Sequence, residues 1–414
     1  MTDSPITFDP AVIWERVEAL AQFGKYGDTG VARPVYSPEW QAAQNEITRW
    51  AESLGLEVRS DAVGNVWAKL PGSEGGKSIA SGSHIDSQLP GGRFDGVLGV
   101  ISAITALGAL KERYGTPKRT LEAVSLCEEE SSRFPTTEFW GSRAITGRIK
   151  PGDTENVISY GGEPIGEVMR SIGLDPSKTD DAIRNDIGAW VELHIEQGPL
   201  LEADGLPLGV VTAITGLRHY TVKVTGNSNH AGAFPMDLRR DPMAAAAEMI
   251  SNVVGRAAEW GRPAVTTVGR IHVEPNFPAI VPETVEFMID ARHPDPEARL
   301  RLYAEHEAAL REIAARRNVE IEIENIKGHE PYICDPKLVE TFDRAAQRVG
   351  APYRQLTSGA VHDAQRMGAI APAVMLFVRS KDGRSHTPAE YSSPEDIAIG
   401  VATLTEGLRA LAYE

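Results

Sequence analysis

Apolar positions return at two different periods along this chain, and each change of period marks a new element. Between Trp40 and Trp50 they recur every three or four residues, which predicts a helix. That helix lies in a helical stretch from Pro10 to Leu54, interrupted by a Tyr36-Ser-Pro loop. From Leu56 to Leu70 the pattern alternates around Gly64-Asn65, predicting a β-hairpin. Lys77 to Ser83 and Leu121 to Cys127 read as short buried strands, and Val97 to Tyr114, dense in Leu, Ile and Ala, as the helix between them. Val191 to Ile195 is a third strand. Strand–helix–strand alternation implies an α/β domain with a largely parallel sheet. Ligands of such sheets bind beyond the carboxyl ends of strands, where His84 and Glu128 to Glu130 fall.

The rhythm differs from about Ile214 to Glu330. Strand-like His219–Val224 precedes a helix over Pro242–Trp260, then strands over Val265–Val273 and Thr284–Asp290. A charged helix over Pro296–Arg317 and a strand over Val319–Ile326 complete a β-α-β-β-α-β order, the ferredoxin-like pattern. We expect this segment, 214–330, to be inserted into a first domain made of 1–213 and 331–414. The chain returns to that domain with a helix over Pro336–Val349 and a buried strand over Ala373–Val378.

Composition narrows the classes. The 414 residues carry a net charge of −16 and show no dense Lys/Arg tract, which argues against nucleic acid as a partner. No window of about 18 apolar residues appears, so no membrane span is expected. The first residues lack a basic, then apolar, secretory pattern, and only two cysteines, Cys127 and Cys334, are present. A reducing cytoplasm is the expected setting. Gly91-Gly92 is not followed by Gly-Lys-Ser/Thr, so it is no phosphate loop.

The candidate chemistry lies at strand ends. Glu128-Glu129-Glu130 follows the apolar run Leu121–Cys127, and carboxylates at a buried strand end need a counter-charge. A divalent cation is a natural one. His84 and Asp86 also follow a buried strand, ahead of a glycine-rich loop that reaches Asp95. In Glu192-Leu-His-Ile-Glu196, alternation places His194 on the polar face, and His386 lies in a loop after another buried strand. Imidazole and carboxylate are the ligands of hydrolytic metal sites.

The runs Ser81-Gly-Ser-His-Ile-Asp86, Gly91-Gly-Arg-Phe-Asp-Gly96, Cys127-Glu-Glu-Glu130, Glu192-Leu-His-Ile-Glu-Gln-Gly-Pro199 and Asn229-His-Ala-Gly232 resemble the hydantoinase/carbamoylase family. That family is related to two-zinc aminoacylases and carboxypeptidases. The resemblance, from about Tyr36 to the C-terminus, implies an aminopeptidase-like mixed, largely parallel sheet with helices on both faces. It also implies an inserted ferredoxin-like lid that forms a homodimer. Two divalent ions (zinc, manganese, cobalt or nickel) are implied. His84 and His194 would each hold one, Asp95 would bridge them, and Glu129 with His386 would complete the second site. Asp86 would orient His84, and Glu128 would be the general base that activates a metal-bridged water. His230 would stabilise the oxyanion, with a plain turn residue as its alternative.

The implied activity is cleavage of a linear amide or ureido C–N bond in a small carboxylate. N-carbamoyl-L-amino acids lead, with allantoate, ureidoglycolate, N-acyl amino acids and dipeptides as alternatives. A non-catalytic binding module of the same fold is the reading from outside the enzymes. Arg292 would grip the carboxylate, or else pair with Asp290 or Asp295. Gln197, Gly359 and Ala360 match further substrate contacts, and Asn276 is a contact out of register, serving a turn as its alternative. His362 and Asp363 would support the loop at Ser358, or else cap a helix. The chain departs from the pattern at Ala279, where an Asn is usual, and at Val361, where a glycine is common. The loss of the amide weakens selection for a ureido group.

Overall fold

The structure, a computed structural model, describes residues 4–414. The chain forms two compact units. One, the core unit, runs to Thr212 and resumes at Cys334–Leu356 and His362–Glu414. The other, the inserted unit, comprises Ala213–Ile333 and Thr357–Val361. The expected insertion, 214–330, lacks the second of these segments, which is too short to announce itself by periodicity.

In chain order the principal strands are β1 (Glu57–Ser60), β2 (Val66–Leu70), β3 (Ser78–His84), β4 (Leu121–Leu126), β5 (Ile187–Ile195) and β6 (Leu208–Ile214). They continue with β7 (Gly216–Thr225), β8 (Val265–Glu274), β9 (Thr284–His293), β10 (Glu320–His329), β11 (Tyr353–Ser358) and β12 (Ala373–Val378). The principal helices are α1 (Pro10–Ala21), α2 (Pro38–Ser53), α3 (Val97–Tyr114), α4 (Pro242–Trp260), α5 (Pro296–Arg316), α6 (Pro336–Val349) and α7 (Pro394–Tyr413). All but α3 begin with one device. An Asp or Ser side chain accepts an amide of the first turn, and a proline at the first helical position has no amide to leave unpaired. No helix among the described residues is long and apolar enough to cross a membrane.

The core-unit sheet runs β6–β12–β5–β3–β4–β2–β1, with β11 paired to β6 off this path. Its centre is parallel, in the pairs β12/β5, β5/β3 and β3/β4. Its flanks are antiparallel, in β12/β6, β4/β2 and β2/β1. The sheet is mixed, as expected: its centre is parallel, and the hairpin β1–β2 and strand β6 extend it antiparallel. β5 is buried on both faces from Ala189 to Ile195, as central strands of such sheets are. His194 is therefore no polar-face residue: it is buried, at a strand end.

The inserted unit is a four-stranded antiparallel sheet of order β8–β9–β7–β10. Along β9, Val285, Phe287, Ile289 and Ala291 enter a core with Met249 and Val253 of α4 and Tyr303 and Leu310 of α5. The intervening side chains, Asp290 and Arg292 among them, face the other side and stay half-buried.

Candidate metal centre

Of the parallel strands, β3 ends at His84 and β5 carries His194 one residue before its end, and the loop after β3 brings Asp95 between them. His84 directs Nδ1 at the Asp86 carbonyl oxygen, 3.0 Å away, and His194 directs Nδ1 at the Ile195 carbonyl oxygen, 2.9 Å away. A carbonyl only accepts, so in the neutral rings Nδ1 carries the proton and Nε2 a lone pair. Those two Nε2 atoms lie 3.4 and 3.2 Å from Asp95 Oδ1, with all three groups buried. Lone pairs converging on a carboxylate oxygen repel one another unless positive charge sits among them. Burial opposes charging either His84 or Asp95. Even so, the Glu129, Asp86 and Asp95 carboxylates lift the His84 pKa well above its ordinary value. His194 and His84 likewise hold Asp95 well below its own. One donor atom from each of His84, Asp95 and His194 lies within 4.8 Å of the others, a set that fits a divalent cation.

A second group shares Asp95 and adds Glu130 and His386. His386 Nε2 lies 3.5 Å from Asp95 Oδ2 and 3.3 Å from Glu130 Oε2. Burial and Asp95 push the Glu130 carboxyl up to about 7, against the pull of His386. The Gln88 amide donates to Glu130 Oε2 at 2.8 Å. Here the structure departs from three expectations. His84 and His194, expected to hold one ion each, fall in a single donor group. Glu129 was expected beside His386, yet Glu130 stands there, and Glu129 Oε2 lies 3.7 Å from His84 Nε2 instead. Glu129 lies outside both donor groups, and so does Glu128, the expected general base. It is fully buried, and its Oε1 accepts the Phe134 amide at 2.8 Å. The physical reason is the backbone. β4 ends at Leu126 and Glu128 takes a φ of 51°, so strand alternation no longer governs where the three side chains point.

Asp86 also works differently from expectation. Its carboxylate stands 3.7 Å from His84 Nδ1, beyond hydrogen-bond reach, because the Asp86 carbonyl takes that proton. The carboxylate oxygens accept the amides of Glu129 and Glu130 at 3.3 and 3.0 Å, fixing the turn that presents both.

Residues missed in the sequence hold Asp95. Glu390 Oε1 accepts the Phe94 and Asp95 amides at 2.9 and 3.0 Å, and the Ser385 hydroxyl bridges Glu390 Oε2 and Asp95 Oδ2. Gln197, expected to touch substrate, donates its side-chain amide to Asp95 Oδ2 at 2.7 Å. The available signal for Ser385 and Glu390 was their place in one short loop with His386. Gly96 is obligatory: a Cβ there would lie 2.4 Å from His84 Nε2, at a φ of +63°. His362 packs edge-on against His194, ring centres 4.7 Å apart, and Asp363 accepts the Ser142 hydroxyl. Both belong to the core unit, while Ser358 belongs to the inserted one. His362 makes no side-chain cap on the short helix that follows it.

In the inserted unit, His230 is exposed and its Nδ1 accepts the Gly232 and Ala233 amides at 3.1 and 3.0 Å. The neutral ring therefore presents Nε2–H as a donor. The neighbouring Ala231 amide donates to the Ala279 carbonyl at 3.0 Å. Asn276 is exposed, just beyond the end of β8. Arg292 forks onto Asp290 at 2.9 and 2.8 Å and donates to the Gly359 carbonyl at 2.9 Å. Ala360 closes a tight turn on the Ser358 hydroxyl.

Residues 80–410 match the family described as Peptidase family M20/M25/M40. The chain is 41% identical over 402 residues to the allantoate amidohydrolase of Bacillus subtilis, covering 97% of each. It is 38% identical over 395 residues to the N-carbamoyl-L-amino acid amidohydrolase of Geobacillus stearothermophilus, covering 95% of this chain and 96% of that one. The crystal structure of a hydantoinase/carbamoylase family amidase from Burkholderia multivorans matches with a TM-score of 0.92 at 34% identity, covering 99% of each chain.

Proposed function

Because the chain belongs to the Peptidase family M20/M25/M40, we propose that it hydrolyses a ureido C–N bond of a small carboxylate, allantoate or an N-carbamoyl-L-amino acid. It is an amidohydrolase of C–N bonds other than peptide bonds, as its relatives are. The observation that carries the reading is the pair of donor groups sharing Asp95. His84 and His194 would hold one divalent ion, Glu130 and His386 the other, with Asp95 common to both. Zinc, manganese, cobalt and nickel all suit these ligands. Such a pair, when bound, polarises the scissile carbonyl and makes water acidic enough to ionise near neutral pH.

The chain's own residues then divide the proton work. Glu129, its side chain 11% exposed beside His84, is placed to take the proton from water and return it to the departing nitrogen. In the metal-free chain burial, only partly offset by His84, raises its pKa well above the ordinary carboxylate value, and a bound cation pair would pull it back toward the ionised form a base needs. Glu128, sealed and tied to the Phe134 amide, supports the loop. Asp86 positions Glu129 and Glu130. From the inserted unit, His230 Nε2–H serves the developing oxyanion and Arg292 the substrate carboxylate. A homodimer through this unit and a cytoplasmic setting complete the proposal. Two buried free cysteines fit that setting.

A second reading, hydrolysis of an N-acyl amino acid, is favoured by the apolar Ala279 one residue before the strand pairing that holds His230. One panel on manganese- or zinc-loaded protein tests both: allantoate, ureidoglycolate, N-carbamoyl-L-amino acids, N-acetyl amino acids and dipeptides. Ammonia release from a ureido compound is the expected result. Cleavage of N-acetyl amino acids without ammonia selects the second reading, and no cleavage of any member rejects both.

A further inference from the structure

In the inserted unit, Asp290 and Arg292 sit two residues apart on one face of the inner strand β9. His219, on the neighbouring strand β7, stands in register with Asp290. Arg292 places Nε on Asp290 Oδ1 at 2.9 Å and Nη2 on Oδ2 at 2.8 Å, a parallel fork in which the guanidinium cannot rotate without breaking both bonds. His219 Nε2 lies 3.0 Å from Asp290 Oδ2, on the same carboxylate. Arg292 Nη1 donates to the Gly359 carbonyl at 2.9 Å. A guanidinium has five N–H donors, so this arrangement leaves two for a ligand.

We infer that Asp290, steadied by His219, is a positioning residue that aims the remaining donors of Arg292 at the substrate carboxylate. The inference rests on the proposed role of Arg292. A carboxylate beside that arginine is costly on charge alone, since it cancels the attraction for an anionic substrate. Its compensation is geometric. An Arg side chain gives up much rotamer freedom when it binds, and a fork formed in advance has already ordered it. The two effects have opposite signs on removal of the Asp290 charge, and that makes them separable. Burial works against ionising Asp290, but His219 and Arg292 hold its carboxyl far below the usual carboxylate range, so the fork stays charged at every working pH.

The experiment uses the full-length, metal-loaded chain with whichever of allantoate and the N-carbamoyl-L-amino acids it turns over best, and with the carboxamide analogue of that compound. Asp290→Asn keeps the shape and removes the charge. We expect KM for the carboxylate to rise at least about tenfold, the scale of a lost charge-assisted hydrogen bond, with kcat within about threefold and the carboxamide unaffected. A KM that is unchanged or lower overturns the inference, as does an equal loss for the carboxamide. Should Asp290→Asn fail to fold by thermal unfolding, His219→Gln carries the same comparison. A KM rise confined to the carboxylate is again expected, and no change overturns the inference. Arg292→Ala separates the premises. If it raises KM while the Asp290 variant does not, only the positioning role falls. If it leaves KM unchanged, the proposed carboxylate contact falls, and the positioning role with it.

Discussion

At Glu128 the backbone turns to a φ of 51°, and this one residue distributes three adjacent carboxylates among three environments. Glu129 lies against His84, Glu130 against His386, and Glu128 under the Phe134 amide. The assignment is open to direct test. Glu129→Gln should lower kcat by about 10²–10⁴-fold while both metals remain by elemental analysis, the range that a general base contributes. Glu128→Gln should keep kcat within about tenfold, because the amide can still accept the Phe134 N–H. The reverse pattern would return the base role to Glu128. Gly96→Ala probes the other side of the centre. Its Cβ would displace the His84 ring, so metal stoichiometry measured after dialysis should fall below that of the parent chain. Full retention of two metals would show that the loop can yield. The sequence placed His84 and the three glutamates past strand ends, Asp95 and His386 in loops, and His194 within a strand. It did not tell which glutamate does what, since one left-handed residue is invisible to periodicity.

Among the elements, α5 and β7 of the inserted unit share a buried polar contact. His306 Nδ1 lies 3.0 Å from the Tyr220 hydroxyl, and burial, then Arg256, lowers the His306 pKa from 6.5 to about 4. The unfolded chain thus binds a proton between those values that the folded one refuses. The sign follows: stability is full above about pH 6.5 and declines as pH falls toward 4, by at most about 3 kcal/mol. His306→Gln should flatten that slope, measured as unfolding midpoint against pH. An unaltered slope would assign it to other groups. Element identity itself was largely legible. Apolar spacing marked α1 to α6 and the strand at Thr284–Asp290, whereas α7 was not read from the chain. Nor was the burial of His194, because alternation within a strand cannot show that both of its faces are covered.

For the molecule as a whole, the donor groups make metal binding a term in folding. Ions that bind the folded chain and not the unfolded one stabilise it by about 2.7 kcal/mol per site at a hundredfold excess over Kd. Chelation should therefore lower the unfolding midpoint by several degrees and abolish turnover, and added manganese or zinc should restore both. Calorimetry in which neither midpoint nor activity responds would reject the metal centre. What the chain determined on its own was local. The order of strands and helices, the apolar runs that must be buried, and the residue types able to bind a cation depend on spacing and side-chain chemistry alone. What only the tertiary structure decided was convergence: Glu130 in place of Glu129, Ser385 and Glu390 around Asp95, and residues 357–361 joining the inserted unit. These contacts join residues far apart in the chain or turn on a single backbone dihedral, and a pattern of neighbours carries no information about either.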